Sequence, residues 1–322
     1  MLKFLVFVLM FAAPALLGQE VKKVVPPTTA ATVPAPANPN ADVVLTVDNT
    51  LDMRLAFDEE SSSRIAKKAK ELDARIPAND SLFLVLDSPG GSIDYGIELI
   101  NNLNALNRPV KTITLFSASM GFQAVQGLRG ERLLTKKGTL MAHKARGTFR
   151  GEFPGQFDNR YQYYLKRVLS LDAEVVKRTN GRHTAASYAA LIENEYWCEG
   201  QDCINDGFAD KIVTATCDKS LAGTINIVYD RFMYRGRTIE IVDTKSVCPL
   251  ITGVLGFNIY VDGVPLFSSN FDGDKGNVAR KDRYSLVALD LIDSRDEGDF
   301  KQLIENKLKS RRMDAQKEII RY

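Results

Sequence analysis

The spacing of apolar positions changes several times along this chain. Over residues 51–76 they recur at helical spacing, with Lys and Glu on the opposite face, and predict a helix. Residues 81–86 (SLFLVL) form a short unbroken apolar run, read as a strand, which ends in Asp87-Ser88-Pro89-Gly90-Gly91-Ser92. Proline and paired glycines make that segment a tight turn. Ser92 can cap a helix from Ile93 to about Asn104, and Asp94 sits favourably in its first turn. Residues 110–115 are the next strand, a helix starts near Ser119, and another strand covers 133–143. Residues 157–179 and 185–195 read as helices. This alternation predicts an α/β fold with a mostly parallel sheet and flanking helices. Beyond Cys217 the texture becomes short β-rich runs, GTINIVYD, TIEIVD and FNIYV, with Asp262-Gly263 as a two-residue hairpin turn before VPLFS. Residues 217–322 therefore read as a small β-rich C-terminal domain that closes with a helix from about Gly298. The last 22 residues carry seven basic and three acidic side chains, a solvated helix in preference to a membrane- or partner-contacting one. The segment from Asp272 to Asn277 hints at a calcium loop. Gly276, Asn277 and Arg283 fall where an EF-hand needs ligands or its turn, so it reads as a polar turn.

The N-terminus adds an address. Residues 1–18, MLKFLVFVLMFAAPALLG, place one lysine before an apolar run and then small residues, the pattern of a secretory signal peptide cleaved after Ala15 or Gly18. Membrane contact through an uncleaved N-terminal segment is the alternative. Residues 19–41, rich in Pro, Ala, Thr and Val, lack periodicity and read as a linker. The expected location is exported, either periplasmic or secreted. The four cysteines, Cys198, Cys203, Cys217 and Cys248, fit an oxidising compartment. Of three possible pairings, closeness in sequence favours Cys198–Cys203 and Cys217–Cys248. No C-x2-C pair is present and neither histidine lies at short ligand spacing from the cysteines, which argues against zinc.

Composition narrows the chemistry. With 322 residues, 45% of them hydrophobic and 25% charged, the chain is long enough for about two globular domains. A net charge of +2, from 42 basic and 40 acidic side chains, provides no global field for nucleic acid. No metal or organic cofactor is expected. Only two histidines occur, His143 and His183, so histidine-dependent chemistry passes through one of them. His183, in Asn-Gly-Arg-His-Thr, reads as a surface turn residue.

Three pieces stand in order: Ser88-Pro89-Gly90-Gly91 after a strand, Ser117-Ala118-Ser119-Met120-Gly121 between strand and helix, and Met141-Ala142-His143 at a strand end. A helix start at Ser119 offers unpaired N–H groups and a dipole that favour a developing oxyanion. Gly91, without a side chain, lets its N–H approach the same oxygen. Histidine as a residue type can accept a serine proton near neutral pH. An isolated serine at a helix start is usually only a cap; the three pieces together give it a partner and a hole.

These pieces, with Asn205-Asp206-Gly207-Phe208-Ala209-Asp210-Lys211-Ile212 as a closing strand, resemble the Clp-type proteolytic subunits, serine peptidases of the ClpP/crotonase fold. The resemblance covers roughly residues 42–216. It implies Ser119 as nucleophile, His143 as general base and acid, and the amides of Gly91 and Met120 as oxyanion hole. The family's third residue is usually Asp; here the matching region, Leu191-Ile-Glu193-Asn-Glu195-Tyr-Trp197, has none. Glu193 is the first choice and Glu195 the second. The resemblance also implies a peptide or unfolded-protein substrate lying as an added strand beside Gly147–Gly151, and a homo-oligomeric ring to which helices 93–104 and 157–179 contribute. Two other readings compete. One is a catalytically silent Clp-fold binding or scaffold module; the other is a crotonase-like acyl-CoA enzyme, which needs no Ser-His pair. A Ser-Lys dyad would require Lys136, Lys137 or Lys144, none at a convincing spacing.

Overall fold

Leu82, Leu84 and Leu86 alternate with Phe83 and Val85 along one strand, and all five are buried. A strand with both faces buried reads as a continuous apolar run, as in a parallel sheet covered on each side. The computed structural model describes residues 41–77, 79–270 and 302. The expected signal segment at 1–18, the linker apart from residue 41, the polar turn at 272–277 and the helix from Gly298 apart from residue 302 lie outside the described residues.

The chain starts with β1 (Val43–Leu45), β2 (Thr50–Met53) and α1 (Glu59–Arg75). It continues through β3 (Leu82–Ser88), α2 (Ile93–Asn104), β4 (Val110–Ala118), α3 (Met120–Gly127), β5 (Arg132–Ala142) and α4 (Gly155–Arg178). Then come α5 (Ala185–Leu191), β6 (Tyr196–Glu199), α6 (Gln201–Asn205), β7 (Lys211–Ile212) and β8 (Ala215–Cys217). Four further strands close the described region: β9 (Thr224–Tyr234), β10 (Arg237–Ser246), β11 (Val254–Val261) and β12 (Val264–Asn270). The central sheet runs β2-β3-β4-β5-β6, with β7 also on β5; only β6 is antiparallel to its neighbour. The C-terminal strands form a separate antiparallel meander, β12-β11-β10-β9. This is the α/β architecture with a mostly parallel sheet and a C-terminal β-rich part that the sequence pattern implied. Asp262 and Gly263, at φ 48° and 79°, make the expected hairpin turn between β11 and β12.

Two stretches differ from the periodic reading. Residues 51–53 lie in strand β2, and the helix begins only at Glu59, where Asp58 accepts a hydrogen bond from the Ser61 amide at 2.8 Å. Buried Leu51 and Met53 flank half-buried Asp52, a period of two too short to stand out beside the helix that follows. The helix expected over 185–195 stops at Leu191, followed by a 3-10 turn, Ile192–Asn194. Glu195 then takes φ 68°, because the chain must reverse to pair β6 antiparallel with β5.

One face of the central sheet packs on α1, α2 and α3 through Leu84, Leu86, Ile65, Leu72, Leu99 and Phe122. The other face, with Phe83, Val85, Ile113 and Leu133, is covered by Leu45, Cys217, Leu221 and Cys248. The second core therefore crosses residue 217: β8 pairs with β1, Leu45 opposite Cys217, and the first residues of the C-terminal region complete it. The C-terminal sheet has its own small core of Ile239, Ile241, Phe257, Ile259 and Val261. Buried Arg54 reaches from the central sheet to the Ser246 carbonyl at 2.9 Å, while Asp52 holds its guanidinium. No helix among the described residues is long and apolar enough to cross a membrane.

The cysteines pair as sequence proximity suggested, Cys198–Cys203 and Cys217–Cys248. The second closes 31 residues and ties the central domain to the C-terminal region; the first closes only 5. Loop-closure entropy makes the long link worth about 4 kcal/mol and the short one about 2 kcal/mol. Peptide mapping without reductant should find these two pairs and no free thiol. In urea unfolding, Cys217→Ser with Cys248→Ser should lose more stability than Cys198→Ser with Cys203→Ser.

A buried guanidinium ties helix α3 to the sheet. Arg132 donates to Asp210 at 3.1 Å, to Gln126 Oε1 at 2.7 Å and to the Gly207 carbonyl at 2.8 Å. Burial alone would raise the Asp210 carboxyl, but the Arg132 hydrogen bonds and charge hold it below its usual value. A carboxyl lowered on folding stabilises the protein above its unfolded pKa, and that stability is lost as pH falls through the folded pKa. Asp210→Asn should therefore destabilise at neutral pH by about 3 kcal/mol. Its acid unfolding limb below about pH 4, followed by circular dichroism, should be flatter than that of the unchanged chain.

Candidate active site

Three strand ends meet at the C-terminal edge of the central sheet. β3 delivers the turn Ser88–Ser92, β4 delivers Ser119, and β5 delivers His143. In open α/β sheets this edge is where ligands bind. Ser119 is half-buried, with its amide donating to the Met141 carbonyl at 2.9 Å, so β4 and β5 are stitched together at the serine. Its own carbonyl accepts from the Gln123 amide as α3 begins.

The backbone at Ser119 has φ 55° and ψ −117°. Gly200, which starts α6, has nearly the same conformation, φ 50° and ψ −116°. Glycine adopts it without steric penalty; a residue with a Cβ does so at a cost of about 1–3 kcal/mol. A serine therefore stands where a glycine would fit more easily. The sharp strand-to-helix turn exposes its side chain beyond the sheet.

The glycine turn serves two neighbours. A Cβ on Gly90 would lie 2.6 Å from Ser119 Cβ and 3.0 Å from the Met120 nitrogen. A Cβ on Gly91 would instead strike the Phe57 backbone at 2.6 Å. Gly90 is therefore the glycine whose missing side chain clears Ser119, and Gly91 is bare because the chain entering α1 passes against it. Phe57 and the turn exchange hydrogen bonds, Phe57 N to Gly90 O and Ser92 N to Phe57 O, each 2.8 Å. Ser88 Oγ locks the other side by donating to the Leu55 carbonyl at 2.7 Å. Ser92 occupies the helix-cap position, yet its side chain makes no capping bond. Among the described residues, neither the Gly91 amide nor the Met120 amide has a protein acceptor.

His143 is half-buried, and its Nδ1 lies 2.7 Å from the Lys144 carbonyl. A carbonyl only accepts, so Nδ1 is the donor in that contact, and in the neutral ring Nε2 is then the acceptor. Neither glutamate bonds the imidazole. The Glu193 carboxylate is ion-paired with Lys144, and Glu195 with Arg146 at 3.2 Å. Register separates the two acids. β5 and β6 end on the pair Ala142–Tyr196, so His143 directly follows and Glu195 directly precedes the last paired residues. Glu193, ranked first from the sequence, falls two residues past that position, in the 3-10 turn. Spacing along the chain could not show this, because the helix ends earlier than its periodicity suggests.

Gly147 and Gly151 lie in the mostly exposed segment 144–152 between β5 and α4, which pairs with no strand among the described residues. Phe149 anchors that segment on Phe157, Tyr161 and Tyr164 of α4, at ring distances of 5.5–6.3 Å. α4 in turn is tied to α2: Tyr164 donates to Asp94 at 2.9 Å, and Arg167 pairs with it at 3.0 Å. Of the 24 residues of α4, only Val175 is fully buried. His183 stacks on Phe208 with ring centroids 5.1 Å apart, well along the chain from the serine and joined to the core. No group of three or more His, Cys, Asp or Glu side chains among the described residues could hold a metal ion.

The profile of the Clp protease family matches residues 42–216, the stretch that contains all three strand ends. The chain belongs to the Clp protease family. It is a Clp-type serine peptidase by descent, with the antiparallel sheet β9–β12 lying beyond the family match. It is similar to the ATP-dependent Clp protease proteolytic subunit 2 of Bifidobacterium longum, 28% identical over 159 residues, covering 48% of this chain and 74% of that protein. The proteolytic subunit of Streptococcus suis is 28% identical over 148 residues, with 45% and 74% covered. Subunit 3 of Streptomyces coelicolor is 25% identical over 190 residues, with 55% and 83% covered.

The unusual backbone at Ser119 gives a measurable signature. Ser119→Gly should stabilise the fold by about 1 kcal/mol, the relieved strain outweighing the added chain entropy of glycine. Urea midpoints of Ser119→Gly and Ser119→Ala, compared with the unchanged chain, check this: the gain should appear with Gly and be absent with Ala.

Proposed function

We propose that this chain is an exported serine peptidase that cleaves peptide bonds through Ser119, His143 and an acidic third residue. The observation that carries the reading is the serine itself, held in a glycine-type conformation at a helix start between the paired glycines and the histidine. In the proposed cycle Ser119 Oγ attacks the substrate carbonyl while His143 Nε2 takes its proton. The Gly91 and Met120 amides hold the oxyanion of the tetrahedral intermediate. The imidazolium then protonates the leaving amine, and water releases the acyl group by the same route in reverse. Glu195 is the proposed orienting acid, in place of Glu193, because it adjoins the Ala142–Tyr196 ladder end from which His143 emerges. To act so it must leave Arg146 and reach Nδ1.

A substrate strand is proposed to lie beside residues 144–151 and to pair through main-chain hydrogen bonds. The exposed face of α4 supports a homo-oligomer, as does the description of the relatives as subunits. The two disulfides support export, in agreement with the N-terminal apolar segment. A silent scaffold is the second reading, favoured by one observation: both candidate acids are ion-paired with cations.

A fluorophosphonate probe separates the two. It should label the purified mature chain at Ser119, and the label should vanish in Ser119→Ala and His143→Ala. Peptide cleavage by Glu195→Gln should fall by up to about 10⁴-fold, the loss seen when a triad acid is neutralised, while Glu193→Gln stays near the unchanged rate. An unlabelled wild type would support the scaffold instead.

A further inference from the structure

The segment leaving β5, Lys144-Ala-Arg146-Gly-Thr-Phe-Arg150-Gly151, carries three cations and no carboxylate. The cations stand at even positions, which share one side of an extended chain. Arg160 adds a fourth, since its guanidinium donates to the Arg150 carbonyl. Facing them are the two glutamates already described. Lys144 holds Glu193, and Arg146 holds Glu195 at 3.2 Å. Both pairs are in water: the Arg146 side chain is 78% exposed and that of Glu195 40%. Exposed ion pairs are weak and exchange readily for another partner of the same charge. The pair at Arg146 occupies the acid that directly precedes β6, next to the ladder end from which His143 emerges.

An added strand alongside 144–151 would set alternate side chains next to those of Lys144, Arg146 and Arg150. A carboxylate on such a side chain meets a guanidinium or ammonium; a cation meets repulsion. We propose that this site selects peptide segments bearing carboxylates at alternate positions, and that a substrate carboxylate draws Arg146 off Glu195, freeing Glu195 to bond His143. The proposal rests on the peptidase reading above. Arg146 is then a positioning residue with two effects. It attracts acidic substrate, and in the absence of substrate it keeps the imidazole without its acid partner. A neutral peptide would bind by main-chain bonds alone and would leave Glu195 on Arg146.

The test uses fluorogenic peptides that differ only in Asp, Asn or Lys at alternate positions beside the cut. The unchanged protein should show kcat/KM for the Asp peptide above that for the Asn peptide by roughly two- to fivefold per carboxylate at low salt. That advantage should shrink as added salt screens exposed charge. Arg146→Gln should cleave Asp and Asn peptides more nearly alike. Without peptide, it should also react with fluorophosphonate faster than the unchanged chain, because Glu195 is already free. Equal rates of the unchanged protein on Asp and Asn peptides would overturn the proposal. So would an Arg146→Gln variant that keeps the full preference or labels no faster. These failures leave Ser119 labelling intact, whereas a wild type that takes no label brings down the peptidase reading with it.

Discussion

The whole site hangs on a backbone approach too close for any side chain. A Cβ at Gly90 would stand 2.6 Å from Ser119 Cβ, and one at Gly91 would stand 2.6 Å from the Phe57 backbone. The two glycines therefore join three segments far apart in sequence: the entry to α1, the end of β3 and the start of α3. Hydrogen bonds from Phe57 and Ser92 fix the turn on one side, and Ser88 fixes it on the other. Because most of these are main-chain contacts, the position of the two amides proposed for the oxyanion does not depend on long flexible side chains.

The acidic side of the site is built differently. His143, Lys144, Arg146, Glu193 and Glu195 lie where β5 and β6 run out, beyond the last paired residues, and their contacts are exposed. A rigid Ser119 with the glycine turn on one flank faces His143 and two glutamates held in exchangeable ion pairs on the other. That contrast makes conformational change at residues 143–146 and 193–195 far cheaper than change at the glycine turn. Loose charged segments next to a rigid scaffold are a usual place for substrate to decide the geometry.

Much of this was legible in the sequence where local chemistry acts alone. The helix Ile93–Asn104 follows from its apolar spacing, and the strand end at Pro89-Gly90-Gly91 from the turn residues. The disulfides followed from closeness along the chain. What the sequence hid was decided by long-range pairing. Whether Glu193 or Glu195 adjoins the ladder end from which His143 emerges depends on β5–β6 register, set by residues more than fifty apart. Strand β2 was hidden because Leu51 and Met53, flanking Asp52, make a period of two too short to stand out beside the helix that follows. Gly90 and Gly91 are adjacent and chemically identical, so only the neighbours that crowd them show which one faces the serine.

The pairing of β1 with β8 has a kinetic consequence. It joins Leu45 to Cys217 and so closes a loop that contains nearly the entire family-matched region. Contacts of such high sequence separation form after local ones, because the chain entropy of closing the loop must be overcome first. Leu45, Cys217, Leu221 and Cys248 cover one whole face of the central sheet, so that face stays wet until late in folding. The thiols of Cys217 and Cys248 lie in that same late core. Their oxidation comes from opposite sides of the last seam to shut, and once made it keeps the seam from reopening.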